Sequence, residues 1–285
     1  MSIVSIPRAC VIGHPIAHSR SPLIHNHWLA TLGIPGHYDL QDVAPKDFAT
    51  FLAQLPTRGY VGGNVTVPHK EAAFERVARR DAAAQAIGAV NTLWFESGVL
   101  VGGNSDAHGF VTNLDQTMPG WVVPRGRTVI LGAGGAAHSA TYALLQRGMA
   151  VVVVNRTRGH AQSLAQYFGA QVEVHGVDAL PRLLPAADLL VNCTSCGMEG
   201  KPPLAIDLGP LRPGAIVCDM VYVPLETPLL ADARRRGHRT VDGLGMLLHQ
   251  AGFGFAKWFG VKPTVTPELR ALVEADIRGP AQGAA

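Results

Sequence analysis

The feature that most constrains this chain is a glycine-rich turn set between an apolar strand and a helix. Thr128-Val129-Ile130-Leu131 is apolar and β-branched, and it runs directly into Gly132-Ala133-Gly134-Gly135-Ala136-Ala137. Helical spacing then continues to Gln146, where Gly148 offers a stop, and a second strand spans residues 151–154. This is the Gly-x-Gly-x-x-Ala order of a dinucleotide-binding βαβ unit. Gly132 permits the tight turn, Gly134 lets backbone approach a pyrophosphate, and Ala137 lets helix pack closely on strand. The helix N-terminus adds N–H groups and positive partial charge. A turn rich in Gly only for packing is the competing reading, and the strand-turn-helix-strand context favours a nicotinamide dinucleotide and hence an oxidoreductase.

The end of the second strand selects the cofactor. An acidic residue there would bond the ribose 2′-hydroxyl of NAD and repel a 2′-phosphate. This chain has Asn155-Arg156-Thr157-Arg158 instead. Arg156 offers a planar, permanently charged fork suited to phosphate, and Asn155 and Thr157 add neutral hydrogen bonds. The expected cofactor is therefore NADP.

On both sides of this unit the chain alternates strand-like and helix-like segments. Strands are expected at residues 9–12, 37–40, 60–67, 90–95 and 99–101, and helices at 23–32 and 45–55. Another helix is expected to open at Pro68 and run to about Arg80. Glu96-Ser97-Gly98 reads as a hairpin turn that closes the first domain. A helix at 106–116 leads to a second βαβ series from Arg127, with later strands at 189–191 and 216–218. The last long helix, from Leu244, sets Leu247, Leu248, Ala251, Phe255 and Trp258 on one face and Met246 with Gln250 on another. The fold class expected is α/β in two domains. Residues 1–104 form an N-terminal α/β substrate domain, 105–242 a Rossmann-type doubly wound dinucleotide-binding domain, and 243–285 a C-terminal helical segment that returns to pack on the first. Gly62-Gly63 and Gly102-Gly103 are the places where hinge motion is expected, and the tail from about Gly279 is expected to be disordered.

Composition excludes several alternatives. Hydrophobic residues make up 47% against 16% charged, which suits folded cores rather than a disordered chain. No apolar run nears the roughly 20 residues that span a bilayer. The opening Met1-Ser2-Ile3-Val4-Ser5-Ile6-Pro7-Arg8 lacks the pattern of a signal peptide, so a cytoplasmic location is expected. Net charge is only +3, and Arg234-Arg235-Arg236 before Gly237 reads as the cationic last turn of a helix, which argues against nucleic acid. The four cysteines are too few for a disulfide scaffold, and Cys193-Thr194-Ser195-Cys196 lacks a second Cys/His pair, so no metal is expected. Pro15 likewise separates His14 from His18 and argues against a helical ligand pair.

Moving a hydride to or from a carbinol carbon requires a proton relay at the oxygen and hydrogen bonds that fix the rest of the substrate. Two segments offer these groups. Asn64-Val65-Thr66-Val67-Pro68-His69-Lys70 ends a strand at Thr66 and begins a helix near Lys70; Asn104-Ser105-Asp106-Ala107-His108-Gly109-Phe110 places Asp106 at a helix start. The plainer reading makes Asp106 a helix cap and Lys70 a surface charge.

Taken together with His14-Pro15-Ile16-Ala17-His18-Ser19-Arg20-Ser21-Pro22, Gly88-Ala89-Val90-Asn91-Thr92 and the segments at 192–198, 222–229 and 243–250, these motifs resemble the shikimate dehydrogenase family in order and over nearly the whole chain. The resemblance implies reversible NADP-dependent reduction of 3-dehydroshikimate to shikimate in aromatic amino-acid biosynthesis. It implies Lys70 and Asp106 as the catalytic pair, with the proton assigned to them jointly. It further implies Ser19, Ser21 and Tyr222 at the substrate carboxylate, and Thr66, Asn91 and Gln250 at the ring hydroxyls. Thr194, Ser195 and Met198 would line the cofactor site, with Gly243 and Met246 near the nicotinamide. Ser105 stands where the family usually has Thr, Ala107-His108 replaces a common Gly-containing pair, and the second basic residue of the phosphate-binding run is displaced to Arg158 or His160. The alternatives are a quinate or aminoshikimate dehydrogenase paralogue and a non-catalytic NADP-binding regulator. The partners expected are a small-molecule substrate and a second copy of the chain in a homodimer, with neither nucleic acid nor membrane.

Overall fold

The structure, a computed structural model, describes residues 6–279 of the chain. Most of the opening segment weighed as a signal peptide, and the tail after Gly279, lie outside that range. The chain divides into two compact units, Met1–Ser105 with Leu248–Val273, and Asp106–Leu247 with the residues from Glu274.

The first unit begins with β1 (Arg8–Gly13), α1 (Ser21–Thr31), β2 (His37–Asp42), a 3-10 turn at Pro45–Asp47 and α2 (Phe48–Ala53). It continues with β3 (Tyr60–Val65), α3 (Lys70–Arg76), β4 (Arg79–Arg80), α4 (Ala82–Ile87), β5 (Thr92–Glu96) and β6 (Val99–Gly103). The strands form one mixed sheet in the order β2-β1-β3-β5-β6-β4. β1 runs parallel to both neighbours, while β5 lies antiparallel to β3 and to β6. Ser97 (φ 51°) and Gly98 (φ 79°) make the hairpin turn between the last two.

Three expectations change here. Gly62-Gly63 lies inside β3, where a Cβ on Gly62 would sit 2.2 Å from the Leu93 carbonyl oxygen and one on Gly63 2.5 Å from that of Cys10. Gly102 and Gly103 are likewise strand residues, with Val90 and Asp81 at 2.7 and 2.4 Å from their would-be Cβ atoms. Glycine serves close backbone packing at these positions, which is the opposite of a hinge. The helix expected from Pro68 to Arg80 starts at Lys70 and stops at Arg76, because Val77 turns to extended backbone and enters the core. Arg79 and Arg80 then pair with Val101 and Gly102, and Asp81 caps a separate helix by accepting from the Ala84 N–H at 2.6 Å.

The second unit contains α5 (Asp106–Thr117), β7 (Arg127–Leu131), α6 (Gly135–Gln146), β8 (Ala150–Val154), α7 (Arg158–Phe168), β9 (Val172–His175) and α8 (Leu180–Leu183). After these come β10 (Leu189–Asn192), β11 (Ile216–Asp219), α9 (Pro228–Arg235) and β12 (Arg239–Val241). All strand pairs are parallel, in the order β12-β11-β10-β7-β8-β9. Strand order reverses between β7 and β10, the switch point at whose carboxyl ends an open α/β sheet binds ligands. Arg234 and Arg235 fall in the last turn of α9, Arg235 and Arg236 pair with Asp232, and Gly237 is left-handed at φ 81°.

Two further helices follow, α10 (Leu244–Phe259) and α11 (Pro267–Arg278). Leu248, Ala251, Phe255 and Trp258 are buried as their spacing predicts, and the Trp258 indole donates to the Leu93 carbonyl at 2.7 Å. Leu247 is only half-buried, and Gln250 is buried rather than turned aside. Trp28, Phe255, Trp258 and Tyr38 surround His25 of α1, which stacks on Tyr38 at 4.1 Å and is fully buried.

Burial pushes the His25 pKa down from 6.5 to about 3, against a smaller upward pull from Asn64. Between those two values the unfolded chain binds a proton that the folded chain refuses, so stability falls as pH drops through this window, by up to about 1.4 kcal/mol per pH unit. Denaturant unfolding at pH 7 and pH 5 should show the native chain losing roughly 2 kcal/mol more than His25→Leu. Equal losses in the two proteins would contradict the neutral, buried imidazole.

Candidate active site

The polar centre of the first unit is a buried chain of hydrogen bonds that joins two of the expected substrate residues. Its first members lie at the ends of β2, β3 and β5. The Tyr38 hydroxyl donates to Asn64 Oδ1 at 2.7 Å, and Asn64 Nδ2 donates to the Asn91 carbonyl at 3.1 Å and to Thr92 Oγ1 at 3.3 Å. Thr92 Oγ1 donates to Asn91 Oδ1 at 2.8 Å, an oxygen that also accepts the Ser105 backbone N–H at 2.9 Å. Asn91 Nδ2 donates to Ser105 Oγ at 3.1 Å, and Ser105 Oγ donates to Gln250 Oε1 at 3.1 Å. Every one of these side chains is buried, Ser105 to 1% exposure. Fixed geometry follows from burial, because a polar group left unpaired in such surroundings costs about 1–3 kcal/mol.

The other expected residues of this unit stand at loop and helix starts. Ser19 and Ser21 are linked by the Ser21 N–H donating to Ser19 Oγ at 3.3 Å. Ser21 is the first residue of α1 and is buried, the N-cap position is Arg20 with no side-chain cap bond, and the Ser21 side chain hydrogen-bonds Tyr38. Thr66 follows β3 and Lys70 opens α3; the His69 N–H donates to the Thr66 carbonyl at 2.9 Å between them. His69 is clamped by its ring, which stacks on Phe48 at 4.4 Å and bonds the Val43 carbonyl through Nε2 at 2.6 Å.

In the second unit Gly132 has φ +103°, a conformation that favours glycine, and a Cβ on it would lie 3.0 Å from Thr194 Cγ2. The turn therefore brings Gly132 against the Thr194 loop. Gly134 caps α6 with no side chain on the helix end, and a Cβ on Gly134 or Gly135 would meet nothing within 4 Å. Ala137 is fully buried under the helix. An open helix N-terminus with no side chain competing for its N–H groups fits the phosphates of a dinucleotide. At the end of β8, Asn155 Nδ2 bonds the Thr157 carbonyl at 2.8 Å, and Arg156, Thr157, Arg158 and His160 are exposed. An exposed guanidinium at this end of the strand fits a 2′-phosphate.

Asn192, given no role by the sequence, and Asp219, which sequence reasoning passed over, support the Thr194 loop. Asn192 Oδ1 accepts from the Thr194 N–H at 3.0 Å and its hydroxyl at 2.7 Å, while Asn192 Nδ2 donates to Asp219 Oδ1 at 2.9 Å. Fully buried Asp219 also accepts from the Val221 N–H at 3.0 Å and the Thr227 hydroxyl at 2.7 Å. Burial raises the Asp219 pKa, and the three donors from Thr227, Val221 and Asn192 oppose that rise. Through Asn192, which bonds Thr194 and donates to the Cys196 carbonyl at 3.2 Å, this carboxylate braces the loop that holds Thr194 and Ser195, and it also holds Val221, the neighbour of Tyr222. Asn192 stands in the expected segment, but neither its spacing nor that of Asp219 reveals the bond between them. Gly243 approaches the Met220 carbonyl so closely that a Cβ would lie 2.3 Å from it, and Met246 is half-buried on α10. Cys193 is buried with its thiol pKa pushed up by that burial, and all four cysteines are free thiols.

Comparison with known proteins follows this division. The family described as shikimate dehydrogenase substrate binding domain matches residues 11–93, and the family described as shikimate / quinate 5-dehydrogenase matches residues 122–198. A protein of Mesorhizobium japonicum named shikimate dehydrogenase (NADP(+)) is 60% identical over 271 residues, 95% of this chain and 96% of that protein. The crystal structure of shikimate 5-dehydrogenase from Thermus thermophilus in complex with NADP(H) and shikimate superposes with a TM-score of 0.82 at 34% identity, covering 95% of this chain and 98% of that one. Quinate dehydrogenase from Corynebacterium glutamicum in complex with NAD superposes with a TM-score of 0.86 at 30% identity, covering 93% and 98%.

The geometry of the turn separates folding from binding. Gly134→Asp places an anionic N-cap in open space at ordinary backbone angles, which should leave the melting temperature equal or higher. The same carboxylate should weaken NADP binding, followed by fluorescence titration, at least tenfold or by about 1.4 kcal/mol. Unchanged NADP affinity would show that the helix end does not hold the phosphates.

Proposed function

This chain belongs to the shikimate dehydrogenase family, and from that premise we propose that it catalyses the reversible NADP-dependent reduction of 3-dehydroshikimate to shikimate in aromatic amino-acid biosynthesis. The structural observation that carries the reading is the buried chain from Tyr38 to Gln250, which orders the Asn91 and Gln250 amides through Ser105, the residue immediately before Asp106 in sequence.

In this proposal the unit built on Asp106–Leu247 holds the cofactor, and the unit of Met1–Ser105 with Leu248–Val273 is the main holder of substrate. NADPH, when bound, supplies the hydride. Residues 132–137 hold the pyrophosphate at the α6 N-terminus, and Arg156 with Asn155 and Thr157 holds the 2′-phosphate. Thr194, Ser195 and Met198 line the cofactor, with Gly243 and Met246 against the nicotinamide. Ser19, Ser21 and Tyr222 hold the substrate carboxylate through neutral hydroxyls, a set that orients it with little desolvation of opposing charge. Thr66, Asn91 and Gln250 hold the ring hydroxyls. Lys70 and Asp106 jointly deliver a proton to the oxygen that becomes the carbinol and remove it in the reverse direction. Free thiols suit the cytoplasmic location included in the proposal. A homodimer is also included, for which a solution mass near twice 30.1 kDa is the check.

The likeness to a quinate dehydrogenase makes quinate the second substrate to weigh. Steady-state kcat/KM for shikimate and quinate, each with NADP and NAD, tests both choices together. Shikimate with NADP should be fastest, with NAD at least about tenfold slower; preference for NAD would remove Arg156 from its role, and preference for quinate would replace the substrate. Lys70→Ala should lower kcat at least 100-fold, roughly the contribution of general acid-base catalysis, while shikimate still binds. Unaltered turnover would eliminate the pair.

A further inference from the structure

Resting on the substrate reading above, we infer that Ser105 fixes Gln250 as a hydrogen-bond donor toward the substrate, so that the ring group Gln250 meets is an oxygen and a ring ammonium is rejected. One group in the chain has a polarity that admits no choice. A backbone N–H only donates, so the atom of the Asn91 amide 2.9 Å from the Ser105 nitrogen is oxygen. Asn91 Nδ2 is then the atom facing Ser105 Oγ at 3.1 Å, and it donates there.

Asn91 Oδ1 already accepts from the Ser105 N–H and from the Thr92 hydroxyl at 2.8 Å, which occupies both of its lone pairs. The single hydrogen on Ser105 Oγ therefore turns to Gln250 Oε1, the nearest acceptor at 3.1 Å, rather than to Asn91 Oδ1 at 3.3 Å or to Thr92 Oγ1 at 3.4 Å. Donation runs one way along the whole chain, from Tyr38 through Asn64, Thr92, Asn91 and Ser105 to Gln250. The Gln250 carbonyl oxygen faces Ser105, which leaves the NH2 as the group the amide offers to other partners. Hydroxyl and keto oxygens accept from an NH2 group; an ammonium has no lone pair and sets donor against donor. Because Ser105 is 1% exposed and Gln250 is buried, water does not relieve that mismatch. Ser105 is thus a positioning residue that acts through Gln250, and it sets specificity between hydroxylated and aminated rings.

The test compares kcat/KM for shikimate and aminoshikimate with NADP at pH 7. The native chain should favour shikimate at least about 100-fold, as expected of a site whose buried polar groups are left mismatched by the analogue. Gln250→Glu keeps the size and still accepts from Ser105 but turns an acceptor toward the ring, so the preference should fall at least about tenfold. Ser105→Ala should narrow the preference several-fold through a higher KM for shikimate, and Ser105→Thr should retain it. A Gln250→Glu variant with the native preference or a stronger one, or a native chain that accepts both rings equally, would overturn the inference. A neutron structure of the deuterated native chain reads the orientation without any substrate. Deuterium on Ser105 Oγ directed at Gln250 supports the inference, and the Gln250 amide ND2 directed at Ser105 overturns it. No turnover of shikimate combined with the expected deuterium positions would count against the function proposed above and leave the orientation standing.

Discussion

The hydrogen bond from the Ser105 backbone to Asn91 Oδ1 sets the direction of the buried polar chain where it passes from Asn91 through Ser105 to Gln250. A backbone N–H only donates and a backbone carbonyl only accepts, so the Ser105 N–H fixes the Asn91 amide and the Asn91 carbonyl fixes that of Asn64. The residues it joins come from distant parts of the sequence: Tyr38 from β2, Asn64 from β3, Asn91 and Thr92 from the start of β5, Ser105 after β6 and Gln250 from α10. The packing that brings them together is apolar. Gly62 and Gly63 let β3 sit against β1 and β5, and the Trp258 indole anchors α10 to the Leu93 carbonyl. Desolvating so many polar groups is tolerable only when each is paired, which turns a costly arrangement into a rigid one.

The second unit solves a different problem by different means. Its parallel sheet reverses strand order at β7 and β10, and that reversal sets the Gly132 turn beside the Thr194 loop. Anion binding there relies on an uncapped helix end and an exposed Arg156, groups whose strength comes from charge and open access rather than burial. Asp219 supplies the stiffness behind them. It is a buried carboxylate with three donors, and through Asn192 it holds the loop that begins at Thr194. A neutral, dry network on one unit and an open cationic cradle on the other suit the two halves of a cofactor-dependent reduction.

Much of this is legible in the amino-acid sequence. Local chemistry made the phosphate turn, the hairpin at Ser97-Gly98 and the cationic end of α9 readable, since each depends on residues adjacent in sequence. Misreadings arose where distant chain decides. Gly62-Gly63 looks like a hinge until Leu93 and Cys10 are seen to fill the space a side chain would need. The helix after Pro68 stops early because Val77 belongs to the core and Arg79-Arg80 to the sheet. β9 and β12 are short edge strands with too few residues for a period to emerge. Gln250 looks like a lone amide on a helix, and only its bond to Ser105, 145 residues away, explains why it is buried. Motif order carried the roles of Lys70 and Asp106, whereas the polarity of the amides required geometry.

Central to the proposal is a buried neutral hydrogen-bond chain that begins at Tyr38, whose hydroxyl also meets Ser21, and sets the grip on the ring. Tyr38→Phe tests it most directly, because the change removes one hydroxyl at the head of the chain and, apart from that hydroxyl's contact with Ser21, alters no expected substrate residue. Steady-state kinetics of shikimate oxidation should show KM raised about five- to tenfold, equivalent to the roughly 1 kcal/mol of one buried hydrogen bond, with kcat within about twofold of the native value. A Tyr38→Phe protein with native KM and native kcat would contradict the account.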